Sequence, residues 1–158
     1  MKKTNNAGFS LVELIIVIAI MAILVGVMAP QLIKFIEKTN VSSDAQLCDS
    51  VRSAITTSML DPEVIAASNS GIPTSTFTGL SSCFASNAFG DSCKEILGVT
   101  SESELVTKSS VGSTKANGWK VVIENGNAVT VYLTASDATG KKSASSSQKI
   151  GSGPAIGK

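Results

Sequence analysis

The chain of 158 residues contains no histidine, and its aromatic residues are few: one tryptophan, one tyrosine and five phenylalanines. Without histidine, neither a Ser-His-Asp nor a Cys-His catalytic arrangement can form, and no metal ion can bind through imidazole. Two carboxylate pairs that are close in sequence, Asp61 with Glu63 and Glu102 with Glu104, could still support acid–base chemistry. Nothing in the sequence marks a pocket around either pair. We therefore interpret them as exposed loop charges and expect neither an enzyme nor a cofactor.

A large excess of positive charge is also lacking, because 13 Lys and Arg residues are balanced by 12 Asp and Glu residues. Proteins that bind nucleic acids usually present a basic patch to the phosphates. The sequence shows no such patch, so we predict no nucleic-acid partner for the part of the chain beyond its apolar segment. Ser and Thr are abundant there, which is typical of a secreted, polar surface.

An uncharged apolar run near the amino terminus is the main feature that is present. No residue from 14 to 33 is charged, and about 20 apolar residues are needed for a helix to cross a hydrocarbon core of about 30 Å. Glu13 interrupts the apolar pattern just before this run. A charge in such a segment is costly and is by default functional, which makes Glu13 the most informative residue of the sequence.

The residues around Glu13 carry a family resemblance. A short basic leader ends at Gly8, and the stretch Gly-Phe-Ser-Leu-Val-Glu over residues 8–13 resembles the cleavage and methylation site of type IV prepilins and related pseudopilins. The resemblance covers the leader and the first helix. It implies cleavage after Gly8 by a membrane prepilin peptidase, then N-methylation of Phe9. It also implies that Glu13 meets the amino terminus, Phe9, of a neighbouring subunit in a filament.

The leader differs from a conventional signal peptide, in which the apolar core precedes the cleavage site and small residues flank the cut. Here the apolar run follows Gly8, so cleavage would leave it on the mature protein. We expect Lys2 and Lys3 to hold the amino terminus on the cytoplasmic side, because positively charged flanks tend to stay there. The rest of the chain would then lie outside.

The resemblance implies a structural function. The protein would be a type IV pilin-like subunit that waits in the cytoplasmic membrane as a single-pass protein and is then packed into an extracellular helical filament. Its partners would be copies of itself, the prepilin peptidase/methylase, and a membrane platform with its assembly machinery. One alternative is a pseudopilin of a type II secretion or DNA-uptake apparatus. An alternative of another class is a membrane-anchored surface binding protein that never polymerises.

The apolar run continues into an amphipathic segment, because apolar residues recur at steps of three and four from Val41 to Met59. Asp44 and Arg52 fall largely off this stripe. We predict one helix from about residue 9 to about residue 60, which ends at Asp61-Pro62 because proline disfavours helix at the preceding residue.

Gly26 and Pro30 weaken the predicted helix, since proline removes a backbone hydrogen bond. A gentle kink is one interpretation, as is common in membrane helices. A hinge that unwinds when subunits pack is the other, and the resemblance favours the hinge.

Alternating apolar and polar residues from Trp119 to Thr134 predict two antiparallel strands. A two-residue turn at Asn125-Gly126 would mismatch the apolar faces of the strands. We therefore predict a three-residue loop, residues 124–126, that places Val121 opposite Val129 and uses Gly126 as a bulge.

The region before these strands gives weaker signals. Residues 71–79 read as a loop, and Ser92 could cap a short helix that ends at Gly98. Another helical turn is expected between residues 100 and 106. Lys149-Ile150 could add a short edge strand near the end of the chain.

The predicted fold class is α+β, with a long N-terminal α-helix, apolar in its first half and amphipathic in its second, packed against a small antiparallel β-sheet head as in type IV pilins. The predicted parts are a removable leader (1–8), a transmembrane and filament-core helix (9–34) and a head (35–158). The head includes the amphipathic half of the helix and ends in a tail rich in Ser, Gly and Lys (136–158).

The three cysteines, Cys48, Cys83 and Cys93, leave at least one thiol unpaired within the chain. An exported chain permits disulfides, and a Cys83–Cys93 bond would close a small loop. Free thiols are a second interpretation. A zinc site of three thiolates and a carboxylate such as Asp91 is a third. Many pilins that are similar in their amino-terminal region close a carboxy-terminal loop with a disulfide, but the tail of this chain has no cysteine.

Overall fold

The structure is a computed structural model that describes residues 9–109, 118–124, 128–133 and 150–153. The chain divides into two compact units, residues 1–36 and residues 37–158. Its helices are α1 (Leu11–Leu60), α2 (Pro62–Ala66) and α3 (Ala88–Leu97), with 3₁₀ turns at Ser81–Phe84 and Glu102–Glu104. Its strands are β1 (Phe77–Thr78), β2 (Trp119–Glu124), β3 (Ala128–Leu133) and β4 (Ile150–Ser152). The predicted α+β arrangement of a long N-terminal helix and a small antiparallel sheet is confirmed.

Helix α1 ends where the sequence predicts. Asp61 has an extended backbone, and its carboxylate accepts a hydrogen bond from the Glu63 N–H at 2.9 Å. Pro62 then opens α2 as its first residue, a position that needs no backbone donor. The helix is unbroken at Pro30, and the hinge at Gly26 and Pro30 stays a prediction.

The four strands form one antiparallel sheet in the order β1-β2-β3-β4. Val121 lies opposite Val131 and Ile123 opposite Val129, so the predicted pairing of Val121 with Val129 is wrong by two residues. A two-residue shift leaves each side chain on its predicted face, which is why matching the faces could not separate the two registers. The observed register pairs both strands over their whole length. The predicted bulge at Gly126 lies outside the described residues.

Two short strands complete the edges of the sheet. In β1, Phe77 pairs with Val121. The sequence predicted a loop there, because a strand of two residues is too short to show an alternating pattern. In β4, Ile150 pairs with Leu133. The short edge strand predicted near Ile150 is therefore confirmed.

The core of the second unit joins the amphipathic half of α1 to the sheet. Val51 and Ile55 of α1 are completely buried in one cluster with Val121 of β2. Arg52 Nε also donates a hydrogen bond to the Val129 carbonyl at 2.8 Å, which links α1 to β3. The apolar stripe of α1 thus packs against the sheet as predicted.

Asp44 departs from the predicted pattern, because it is 1% exposed although it lies off the apolar stripe. Its carboxylate accepts hydrogen bonds from the Lys108 and Ser109 N–H groups, each at 2.9 Å, and from the Ser109 hydroxyl. Burial of a carboxylate is tolerated where such donors replace water. Asp44 therefore attaches the segment at 108–109 to α1.

Helix α3 begins earlier than predicted. Asn87, not Ser92, caps it, and the Asn87 side chain accepts from the Gly90 N–H at 2.8 Å. The earlier start brings Phe89 into the core together with Cys93, one turn later. The predicted end is confirmed, since Gly98 adopts the left-handed conformation with φ of 66°.

Candidate functional site

The described part of the first unit, residues 9–36, is exposed along its whole length. Phe9 is 94% exposed and Val25 is 64% exposed. In the described part of the chain, α1 is the helix long and apolar enough to cross a membrane. Contiguous apolar surface of this size marks contact with lipid or with other protein chains.

The amino-terminal end of this apolar helix is closed by a reciprocal hydrogen-bond arrangement. The Ser10 hydroxyl accepts from the Val12 N–H at 3.2 Å, and Glu13 Oε2 accepts from the Ser10 N–H at 2.8 Å. The Ser10 carbonyl accepts the first helical hydrogen bond, from the Leu14 N–H at 3.3 Å. This is a variant of the capping box, because the Ser10 hydroxyl accepts from the second N–H of the helix and not from the third. The spacing Ser10-x-x-Glu13 is its sequence signature, but the sequence reasoning assigned no role to Ser10.

Glu13 is exposed and belongs to the first turn of α1. A carboxylate in the first turn interacts favourably with the positive end of the helix dipole. Phe9 lies immediately before the capping box, whereas Gly8 lies outside the described residues. The structure therefore places Phe9 and Glu13 at the same end of the helix. Of the two residues that flank the predicted cleavage bond, the structure describes Phe9.

The predicted hinge residues lie further along the same helix. Apart from its chain neighbours and the adjacent helix backbone, a methyl group added at Gly26 would meet no atom within 4 Å in the described part of the chain. Pro30 follows one turn later, inside the helix. The small size of Gly26 is therefore not required by packing within this chain.

Cys83 and Cys93 are both completely buried and come together, one from the 3₁₀ turn and the other from α3. Both are thiols here, and the two side chains interact with each other. The interaction with Cys93, together with burial, raises the pKa of the Cys83 thiol, and the same interaction lowers the pKa of Cys93. The structure thus brings together the pair for which the sequence predicts a disulfide, and the covalent bond itself stays a prediction.

Ser58 of α1 lies beside this pair. Its hydroxyl is buried and has no partner of standard hydrogen-bond geometry among the described residues. Interaction with Ser58 contributes to the lowered pKa of the Cys93 thiol. The cysteine pair is therefore enclosed by α1 as well as by its own two elements.

Cys48 has different surroundings from the other two cysteines. Its sulfur donates to the Ile150 carbonyl at 3.6 Å, and burial, followed by the nearby charges of Asp44 and Asp49, raises its pKa to about 12. Asp91 forms an ion pair with Lys94 at 2.6 Å. Residues 9–109 contain all four candidate zinc ligands, yet no metal-binding group of three or more acidic, cysteine or histidine side chains occurs in the described chain. The three-thiolate zinc site with Asp91 is therefore not assembled.

Two of the four carboxylates considered for acid–base chemistry, Asp61 and Glu104, accept hydrogen bonds from backbone N–H groups. Asp61 caps α2 and accepts a hydrogen bond from the Ser92 hydroxyl at 3.2 Å. Glu104 accepts from the Thr100 and Ser101 N–H groups at 2.9 and 3.0 Å, within a second capping box. The Thr100 hydroxyl also donates to Glu104, at 2.6 Å. This bond contributes most to lowering the pKa of Glu104, and the bonds from the backbone N–H groups lower it further. Asp61 and Glu104 thus have structural partners in the folded chain.

Comparison with known families finds one match near the amino terminus. A model of the prokaryotic N-terminal methylation motif matches residues 3–29. The matched stretch includes the lysine at position 3, the whole capping box and most of the uncharged run. No solved structure matches the chain.

Proposed function

The chain carries a type IV pilin-like prepilin leader, and from this premise we propose that the mature protein is a structural subunit of a type IV pilus-like extracellular filament. The observation that carries the proposal is the joining of this leader to an apolar helix exposed at every residue from 9 to 36. Lipid would cover this helix before assembly, and helices of neighbouring copies would cover it afterwards. The protein would be a substrate of processing enzymes, not itself an enzyme.

The charge of Glu13 favours assembly over the membrane-bound state, because its carboxylate is unpaired in lipid and would be paired in the filament. An unpaired carboxylate at the centre of a membrane helix costs about 2.5–3.5 kcal/mol, and less near a membrane face. Glu13 lies in the first turn of the apolar helix, so the free subunit can stay in the bilayer. In a bundle of such helices, the amino group of Phe9 from a neighbouring subunit would pair with Glu13 and set the axial register.

Processing would be carried out by a prepilin peptidase/methylase before assembly by a membrane platform. We expect intact-mass analysis of filament protein to show loss of residues 1–8 and gain of one methyl group on Phe9. A bulky residue in place of Gly8 should block cleavage, because a small residue is expected in the peptidase site. Chains that start at Met1 in assembled filaments would contradict this step.

Electron microscopy of sheared surface filaments, probed with antibody against residues 37–109, tests the filament proposal. Labelling along the shaft is the expected result. A pseudopilin of a secretion or DNA-uptake apparatus would give no labelled long filaments in the wild type. Labelling of membranes alone would support the non-polymerising surface protein and overturn the proposal.

A further inference from the structure

We propose that Ser10 is a positioning residue for Glu13, which holds the carboxylate in place for its contact with the neighbouring amino terminus. This inference rests on the filament function proposed above. It is carried by the two reciprocal hydrogen bonds of the capping box, from the Val12 N–H to the Ser10 hydroxyl at 3.2 Å and from the Ser10 N–H to Glu13 Oε2 at 2.8 Å.

The capping box matters more at this helix end than at an ordinary one. The first N–H groups of any helix lack acceptors within the helix, and in hydrocarbon there is no water to replace them. Ser10 and Glu13 supply acceptors to two of these groups. The helix start and the orientation of the carboxylate therefore depend on each other, because each bond closes the same turn.

The contact inside the chain leaves the carboxylate able to bind a second donor. The Ser10 N–H occupies Oε2 of Glu13, while an ionised carboxylate has two oxygens and about four acceptor positions. Oε1 can therefore accept from an ammonium group without loss of the Ser10 bond. Phe9, whose nitrogen becomes the amino terminus after cleavage, directly precedes Ser10. The capping box thus holds the Glu13 carboxylate, which is the acceptor, close to the chain end at Phe9, whose amino group is the donor.

Two substitutions of Glu13 separate the cap from the charge. Glu13→Gln keeps a side-chain oxygen that can accept from the Ser10 N–H, because Gln serves in capping boxes as Glu does, but it has no charge to pair with an amine. Glu13→Val removes both. We expect both variants to lose filaments, whereas only Glu13→Val should increase exchange of the Ser10 amide, by about fivefold for the loss of a typical cap.

Substitution of Ser10 tests positioning with the charge intact. Ser10→Ala removes the hydroxyl, so the Val12 amide should exchange about fivefold faster, and filament yield relative to the membrane pool should fall several-fold. Ser10→Thr retains the hydroxyl and should restore both readouts. Ser42→Ala, on an exposed part of α1, is the matched control and should change neither.

The experiment uses the full mature chain, isotope-labelled in detergent micelles for amide exchange by NMR and expressed in cells for filament yield. Intact mass confirms leader removal in each variant. Normal filament yield in Ser10→Ala, or a yield that Ser10→Thr does not restore, would overturn the positioning role. Equal Ser10 exchange in wild type, Glu13→Gln and Glu13→Val would overturn the capping role. Normal filaments in both Glu13 variants would instead overturn the proposed function of Glu13, a distinct result.

Discussion

The two halves of α1 place the same residue types in opposite environments. Val25 is 64% exposed, whereas Val51, on the same helix, is completely buried. The first half is apolar on every side, so its own chain cannot cover it, while the second half has a single apolar stripe that the sheet covers. The comparison shows that the distribution of apolar residues around a helix, more than their number, determines whether its partners lie in the same chain or outside it.

The largest effect should come from placing a charge in the buried half. Val51→Asp puts a carboxylate among the buried apolar side chains of the core, so we expect the free energy of unfolding to fall by about 4 kcal/mol or more. Thermal unfolding of the detergent-solubilised full chain, followed by near-UV circular dichroism, measures the loss.

The matched substitution in the exposed half is Val25→Asp. It should leave the unfolding of the second unit unchanged, yet reduce the fraction of protein recovered in membranes, because a carboxylate at the centre of a membrane helix costs about 2.5–3.5 kcal/mol. The contrast between the two halves would fail if Val25→Asp lowered the unfolding temperature as Val51→Asp does.

A smaller loss is expected when Asp44 is replaced by Ala. The Lys108 and Ser109 N–H groups would lose their acceptor, and a buried donor left unsatisfied costs about 1–3 kcal/mol. We expect destabilisation by about 2–4 kcal/mol in urea denaturation. Asp91→Ala is the control, because Asp91 is 67% exposed and its surface ion pair should contribute less than about 1 kcal/mol. Similar losses in both variants would show that burial of Asp44 confers no special stability.

The cysteines extend the comparison within the second unit. We propose that Cys83 and Cys93 are oxidised in the exported protein, where two thiols pass two hydrogen atoms to an external disulfide and form a bond. Alkylation of the denatured protein should then label one thiol without reductant and three with it, and Cys48→Ala should abolish the single label. Reduction should lower stability by about 2–3 kcal/mol in the chain-entropy model. Three labels under both conditions would exclude the bond.

The smallest effect concerns alkaline pH. Burial raises the pKa of Cys48 from 9.0 to about 12, so the folded state retains its proton where the unfolded state releases it. The stability from this thiol is full below pH 9.0 and is lost as pH rises towards about 12. Urea midpoints measured across this window should fall more steeply in the wild type than in Cys48→Ala. Parallel slopes would show that Cys48 does not titrate as stated.

Features set by interactions between close neighbours in the chain were predictable from the sequence, and features set by distant contacts were not. Asp61-Pro62 and Gly98 were correctly predicted as helix ends, since proline and left-handed glycine act on their immediate neighbours. The start of α3 was missed because Asn87 and Ser92 are both acceptable caps, and the burial of Phe89 favours the earlier one. Ser10 could have been found from spacing alone, as the capping-box signature is local.

The sequence alone determined the leader, the uncharged run and the position of Glu13, because these are covalent order and composition. Periodicity determined which face of α1 would be buried. Only the tertiary structure decided the register of β2 and β3, since registers that differ by two residues present the same faces. The tertiary structure also decided the burial of Asp44, because its hydrogen-bond partners are more than 60 residues away in the chain. It likewise decided that Cys83 and Cys93 lie close together, because they do so only when the 3₁₀ turn packs on α3. Such contacts depend on how the elements pack, which no local pattern records.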